Sequence, residues 1–227
     1  MTKKLEVIVT SPKEAVDAQE GGADRLELAR SLEEEGLTPA PQIVEDVLRA
    51  VSLPVRVILR DSPSFELTDE REITRLLTKA EAFAQSKIDG LVLGFIRRGA
   101  LDLDLLKHIL SAVPNVRATF HRAFEHLRDP FEAIDQLKQF AQIDRILTNG
   151  GEGSWDVRKE RLRAWQKAAA PQIEIVVGGG LTAPLLAEFA ADPAFTEFHA
   201  GRAARNPPLP SGVLGRLQVA ALKNALT

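Results

Sequence analysis

Short apolar runs alternate with longer amphipathic stretches eight times along this chain, and few folds satisfy that pattern. The strand-like runs fall at 5–9, 25–28, 55–59, 91–94, 117–121, 145–148, 174–178 and 197–199. They are bounded by Gly, Pro, Ser or Asp, and several are rich in Val and Ile. Helical periodicity occupies 12–22, 41–51, 68–86, 102–112, 130–140, 155–169, 184–192 and 211–226. Pro12, Pro41, Pro130 and Pro184 stand where a first helical turn begins, the place where a missing N–H costs nothing. Strict alternation implies parallel strands joined by crossover helices. Two architectures accommodate it, a closed (β/α)8 TIM barrel and an open doubly wound sheet. The open sheet usually carries its glycine-rich phosphate loop after the first strand. Here the glycines come late, after the seventh strand, which favours the barrel.

The chain has 227 residues and a net charge of −3, which suits one α/β domain spanning 1–227 and gives no basic block for nucleic acid or an anionic membrane. Cysteine is absent and the single methionine is Met1, so disulfides, thiolate metal sites and a Cys nucleophile are excluded. A buried Cu(I) site is hard to build from what remains. The start, Met1-Thr2-Lys3-Lys4, is followed by an apolar stretch broken at Glu6 and too short for a signal sequence. No run reaches transmembrane length, and a cytoplasmic protein is expected. Asn206-Pro207-Pro208-Leu209-Pro210 reads as a stiff loop before the last helix rather than an interdomain linker. Apolar helix surface on so compact a barrel is compatible with a homodimer.

Parity along the strands carries the functional reading. Alternate side chains face opposite sides of a strand. Leu5, Val7 and Val9 oppose Glu6; Leu26 and Leu28 oppose Arg25 and Glu27; Val55, Val57 and Leu59 oppose Arg56, Ile58 and Arg60. Ala118 and Phe120 oppose Thr119 and His121, and Phe198 opposes Glu197 and His199. The apolar set must pack under the helices, so the charged set points into the barrel, where charges have to pair. Arg25, Arg56, Arg117, Arg145, Glu174 and Glu197 begin their strands and read as an ion-pair plug at the stability face. Glu27, Arg60, His121 and His199 end theirs, on the face where barrel enzymes carry chemistry. A purely structural polar layer is the alternative there.

Gly178-Gly179-Gly180 follows the seventh strand and Gly201-Arg202 the eighth. These loops form a phosphate seat in many barrels, or else serve as tight turns. Thr148-Asn149-Gly150-Gly151 after the sixth strand offers a similar approach for a ligand, or a plain turn. No Lys ends a strand, which disfavours Schiff-base chemistry. His108, His126, Trp155 and Trp165 read as surface or packing residues.

Several segments together resemble the CutC family, named for copper homeostasis, over nearly the whole chain. They are Leu5-Glu6-Val7, Ala23-Asp24-Arg25-Leu26-Glu27-Leu28, Gly36-Leu37-Thr38-Pro39, Thr119-Phe120-His121-Arg122-Ala123-Phe124, Arg145-Ile146-Leu147-Thr148 and Glu197-Phe198-His199. The resemblance implies a TIM barrel whose central pocket is lined by Glu6, Arg25, Glu27, Arg60, His121, Arg122 and His199. Ala29 stands where relatives often carry Cys, Ile8 and Val9 where some do, and Asp61-Ser62-Pro63-Ser64 replaces a loop with a second Arg.

From rim and resemblance together, Glu27, Glu6 and His121 are the candidate catalytic residues, with Glu27 as general base and His121 as general acid. Arg25, Arg60, Arg122, Thr148, Gly179, Gly180, Gly201 and Arg202 are the candidate contacts to a small anionic partner. The expected chemistry is isomerase- or lyase-like. The competing expectation is divalent metal, Cu, Zn or Mn, held by His121, His199 and carboxylates. A scaffold that has lost its activity is the third.

Overall fold

The computed structural model describes residues 2–227; Met1, the chain's one methionine, lies outside them. Eight parallel strands close into a barrel: β1 (Lys4–Val9), β2 (Arg25–Leu28), β3 (Val55–Ile58), β4 (Gly90–Leu93), β5 (Arg117–Phe120), β6 (Ile143–Thr148), β7 (Glu174–Val177) and β8 (Glu197–Ala200). Each pairs with its sequence neighbours, and β8 returns to β1 with Glu6 opposite His199. The helices are α1 (Pro12–Glu20), α2 (Pro41–Ala50), α3 (Glu70–Ala84), α4 (Leu103–Ala112), α5 (Pro130–Leu137), α6 (Trp155–Ala169), α7 (Ala183–Ala190) and α8 (Arg216–Asn224). The expected prolines occupy first helical turns, and Ser11, Asp69, Asp102 and Asp129 cap helices by accepting backbone N–H groups. The last helix is shorter than its periodicity suggested. Val213–Leu214 instead pairs antiparallel with Arg205–Asn206, a small ribbon beside the eighth strand.

The apolar parity set lies between strands and helices, where Leu5, Val7, Leu26, Leu28, Val57, Leu59, Phe120 and Phe198 join one continuous core. Inside the barrel a separate layer of Ile8, Ala29, Ile58 and Val92 closes the interior. The charged plug is more selective than the sequence reading. Arg56 is fully buried and donates to Asp89, the Thr119 hydroxyl and both oxygens of Asp144. Arg25 bridges Glu6 and Glu197, and Arg145 joins Glu197 to Asp144. Arg117 and Glu174 do not take part. Arg117 is exposed at the open lower end, and Glu174 accepts instead from the Thr196 hydroxyl. Asp144 reaches the plug because β6 carries one extra residue against β5 between Ala118 and Thr119.

Candidate functional site

One cavity of about 290 Å³ opens at the C-terminal ends of the strands. Its polar lining includes Glu27, Arg60, His121, Arg122, His199 and Arg202. Ile8, Ile58, Leu147 and Phe65 supply an apolar wall, and Gly179, Gly180 and Gly201 complete the rim. Side chains from six separate strand ends therefore converge on one space, as strand-end parity requires of a barrel.

Each imidazole packs beside a glycine just past the end of the preceding strand. Gly94 follows β4, and a Cβ there would fall 2.6 Å from Nδ1 of His121. Gly178 follows β7, and a Cβ there would lie 3.1 Å from the His199 Cβ. At Gly94 the ring itself fills the room, whereas at Gly178 Leu147 Cδ1 comes nearest, at 2.6 Å, and the His199 ring sits at ordinary contact distance. His121 also caps the 3-10 turn Arg122–His126, its Nδ1 accepting from Ala123 N–H at 3.2 Å. Phe65 covers the imidazole at a centroid distance of 5.1 Å, with the Arg60 guanidinium over its ring at 4.5 Å.

His199 belongs to a different group. Its Nδ1 lies 2.9 Å from Glu6 Oε1 and 3.9 Å from Glu27 Oε2. Burial opposes an imidazolium here, but the charge of Glu27 and the bond to Glu6 outweigh it and raise the pKa. Burial likewise opposes ionisation of Glu6, yet the Arg25 guanidinium and His199 hold its carboxyl well below the usual range. Glu27 has less support: burial pushes it up to about 7, against the pull of His199. His121 moves the other way. Burial, reinforced by the charge of Arg60, pushes it down to about 3. The expected general acid is therefore a neutral ring at neutral pH, without an imidazolium proton to give.

These positions take Arg25, Glu6 and Thr148 out of the cavity lining and keep Arg60, Arg122 and Arg202 in it. Arg25 and Glu6 lie beneath the cavity and are committed to the plug and to His199, so neither lines the mouth. Thr148 is buried behind the rim, its hydroxyl accepting from Gly150 N–H. Arg122 lines the mouth but is held by Glu125 and Glu35. Arg60 spends its terminal nitrogens on the carbonyls of Glu34, Gly36 and Pro63. Arg202, exposed on the rim, makes no side-chain hydrogen bond among the described residues. The metal grouping changes too. Glu6, Glu27 and His199 each bring a ligand atom within 4.8 Å of the others, and His121 is not part of the cluster.

Other lining residues had no sequence reading. Glu33 and Glu35 hang over the mouth on the loop after β2, and the buried Arg205 anchors the ribbon by bonding both oxygens of Glu14. Among the described residues no lysine lines the cavity, and no helix is long and apolar enough to cross a membrane.

A model of the CutC family matches residues 3–204. The human "Copper homeostasis protein cutC homolog" is 32% identical over 196 residues, covering 86% of this chain and 71% of that protein. A "family protein CutC" from Bacteroides thetaiotaomicron is 32% identical over 200 residues, covering 86% and 79%. The crystal structure of a CutC protein from Streptococcus agalactiae superposes with a TM-score of 0.81 at 22% identity, covering 88% of this chain and 98% of that one.

Proposed function

The chain belongs to the CutC family, and on that premise we propose that its barrel mouth binds a small phosphorylated or carboxylated molecule and moves protons on it. The observation that carries this reading is a set of buried polar atoms without partners. Glu27 Oε2, Arg60 Nε and His121 Nε2 are all in this state, and their side chains, from β2 and from just past β3 and β5, line the same cavity. Leaving such a group unpaired costs about 1–3 kcal/mol. A ligand offering an anion to Arg60, an acceptor to His121 and a proton to Glu27 recovers that cost on binding. Glu27 then acts as general base, its raised pKa matching work near neutrality. Gly179 and Gly180, both at positive φ, allow close backbone approach to the anion beside Arg202. Thermal unfolding in the presence of sugar phosphates and small carboxylic acids tests the reading. At least one anion should raise the midpoint of the wild type and leave an Arg60→Ala, Arg202→Ala variant unmoved. Equal responses from both proteins, or none from either, reject it.

A second reading rests on the Glu6, Glu27 and His199 cluster and on the naming of relatives for copper homeostasis. Two carboxylates and an imidazole suit Cu(II), Zn²⁺ or Mn²⁺, and with no cysteine in the chain they do not suit Cu(I). Bound there, a divalent ion would supply Lewis acidity toward a ligand oxygen. Its rival for the same donors is the proton that His199 shares with the carboxylates, so metal uptake should release protons and strengthen with pH. Metal analysis and equilibrium dialysis of tag-free protein decide this reading. Affinity tighter than about micromolar, lost in Glu27→Gln, supports it; weaker binding rejects it.

A further inference from the structure

His121 has a fixed hydrogen position that the fold itself sets. Ala123 N–H donates to Nδ1, so that nitrogen carries the lone pair, and a neutral ring must carry its hydrogen on Nε2. Nε2 is buried, has no partner among the described residues, and belongs to a side chain lining the cavity. Gly94 and Phe65 hold the ring from two sides, so the N–H direction is built in rather than chosen on ligand binding. We infer that His121 is the oxyanion donor of this site, and that the substrate is a small anion carrying a carbonyl next to a carbon that can lose a proton.

This rests on the proton-transfer reading above and names its substrate class. The low pKa of His121 agrees, since burial and the nearby arginines keep the ring neutral. A neutral imidazole polarises a carbonyl by donating a hydrogen bond, without surrendering its proton. Glu27 stands on β2 and His121 just past β5, three strands apart around the barrel, so they approach a ligand from different walls. In the step itself Glu27 takes the proton from carbon. The C–H electron pair becomes the enolate C=C bond, and the carbonyl π pair moves to oxygen, where it meets the Nε2–H. Return of a proton from Glu27 to the same carbon restores the carbonyl, so nothing else is consumed.

Binding of enolate mimics tests this against matched anions that lack the carbonyl. The pairs are phosphoglycolohydroxamate with glycerol 3-phosphate, and oxalate with glycolate, each measured by calorimetry. The wild type should prefer the mimic in at least one pair by about 10-fold or more, and His121→Gln should abolish the preference. Equal affinity for both members of each pair overturns the inference and leaves anion binding standing. No binding of any of the four removes both. Nitrogen NMR of ¹⁵N-histidine-labelled wild type gives a second readout that needs no variant. His121 should remain the neutral Nε2–H tautomer between about pH 5 and 8, and an Nδ1–H tautomer or an imidazolium there overturns the inference.

Discussion

Gly94→Ala probes the seat of His121 with a single methyl group. The added Cβ would lie 2.6 Å from Nδ1, 2.7 Å from Cε1 and 3.2 Å from the Ala123 Cβ, where ordinary contact begins near 3.4 Å. The ring has to retreat by somewhat under 1 Å, roughly the excess overlap. That movement stretches the 3.2 Å bond from Ala123 N–H, which is already long. Gly94 is not among the glycines at positive φ, so alanine meets no backbone strain there. The backbone change alone should stabilise by about 0.4–1 kcal/mol through the unfolded chain. Overpacking costs about 1–3 kcal/mol, so a net loss of about 1–2 kcal/mol is expected. For a chain of this size that lowers Tm by roughly 2–8 °C. Most of the clash is with the imidazole, so His121→Ala should relieve it. Denaturant unfolding of the wild type, both single variants and the double variant should give a coupling energy of about 1 kcal/mol. Additivity within about 0.5 kcal/mol would refute the idea that this glycine exists to seat the ring.

Arg56→Met should destabilise by about 3 kcal/mol, because it strands Asp89 and Asp144 around a fully buried position; chemical unfolding measures it, and a loss under about 1 kcal/mol contradicts the plug. Glu27→Gln should change how stability depends on pH. Folding raises this carboxyl from 4.5 to about 7, so the folded protein holds the proton more tightly than the unfolded chain. Its contribution is complete below pH 4.5 and declines as the pH climbs to about 7. His199, also raised, adds a decline of the same sign at higher pH, supported partly by the charge of Glu27. The variant should therefore show a flatter profile from mildly acidic to neutral pH in thermal unfolding. An unchanged slope means that Glu27 is not the buried, proton-retaining group described above.

Strand parity was enough to send Glu27, Arg56 and His199 inward, because the alternation of side chains is a local property of an extended backbone. Their partners were not legible in the same way. Asp89 precedes β4, and Asp144 faces Arg56 only through the extra residue in β6, so both depend on register between strands. Arg25 and Arg60 illustrate the same limit. Each was correctly directed inward, but what satisfies an arginine lies elsewhere in the chain: Glu6 and Glu197 for the first, three backbone carbonyls for the second. The two histidines are not brought into one cluster for a related reason. β8 adjoins β1 and places His199 opposite Glu6, whereas the strand of His121 lies on another arc of the barrel. The terminal glycines of the fourth and seventh strands were visible in the sequence. Their meaning appears only when the neighbouring strands supply the side chains that fill the space, His121 beside Gly94, and Leu147 with His199 beside Gly178.

The position of a bound oxyanion is the most direct measurement of what this mouth is for. Crystals soaked in arsenate, mapped by anomalous scattering, should show a peak inside the cavity within hydrogen-bond reach of Arg202 or Arg60 and close to Gly179 and Gly180. The same peak should vanish in crystals of the Arg60→Ala, Arg202→Ala variant. Arsenate found only on the outer helices, with the cavity blank at saturating concentration, would contradict an anion-binding role and leave a polar rim that serves the barrel alone.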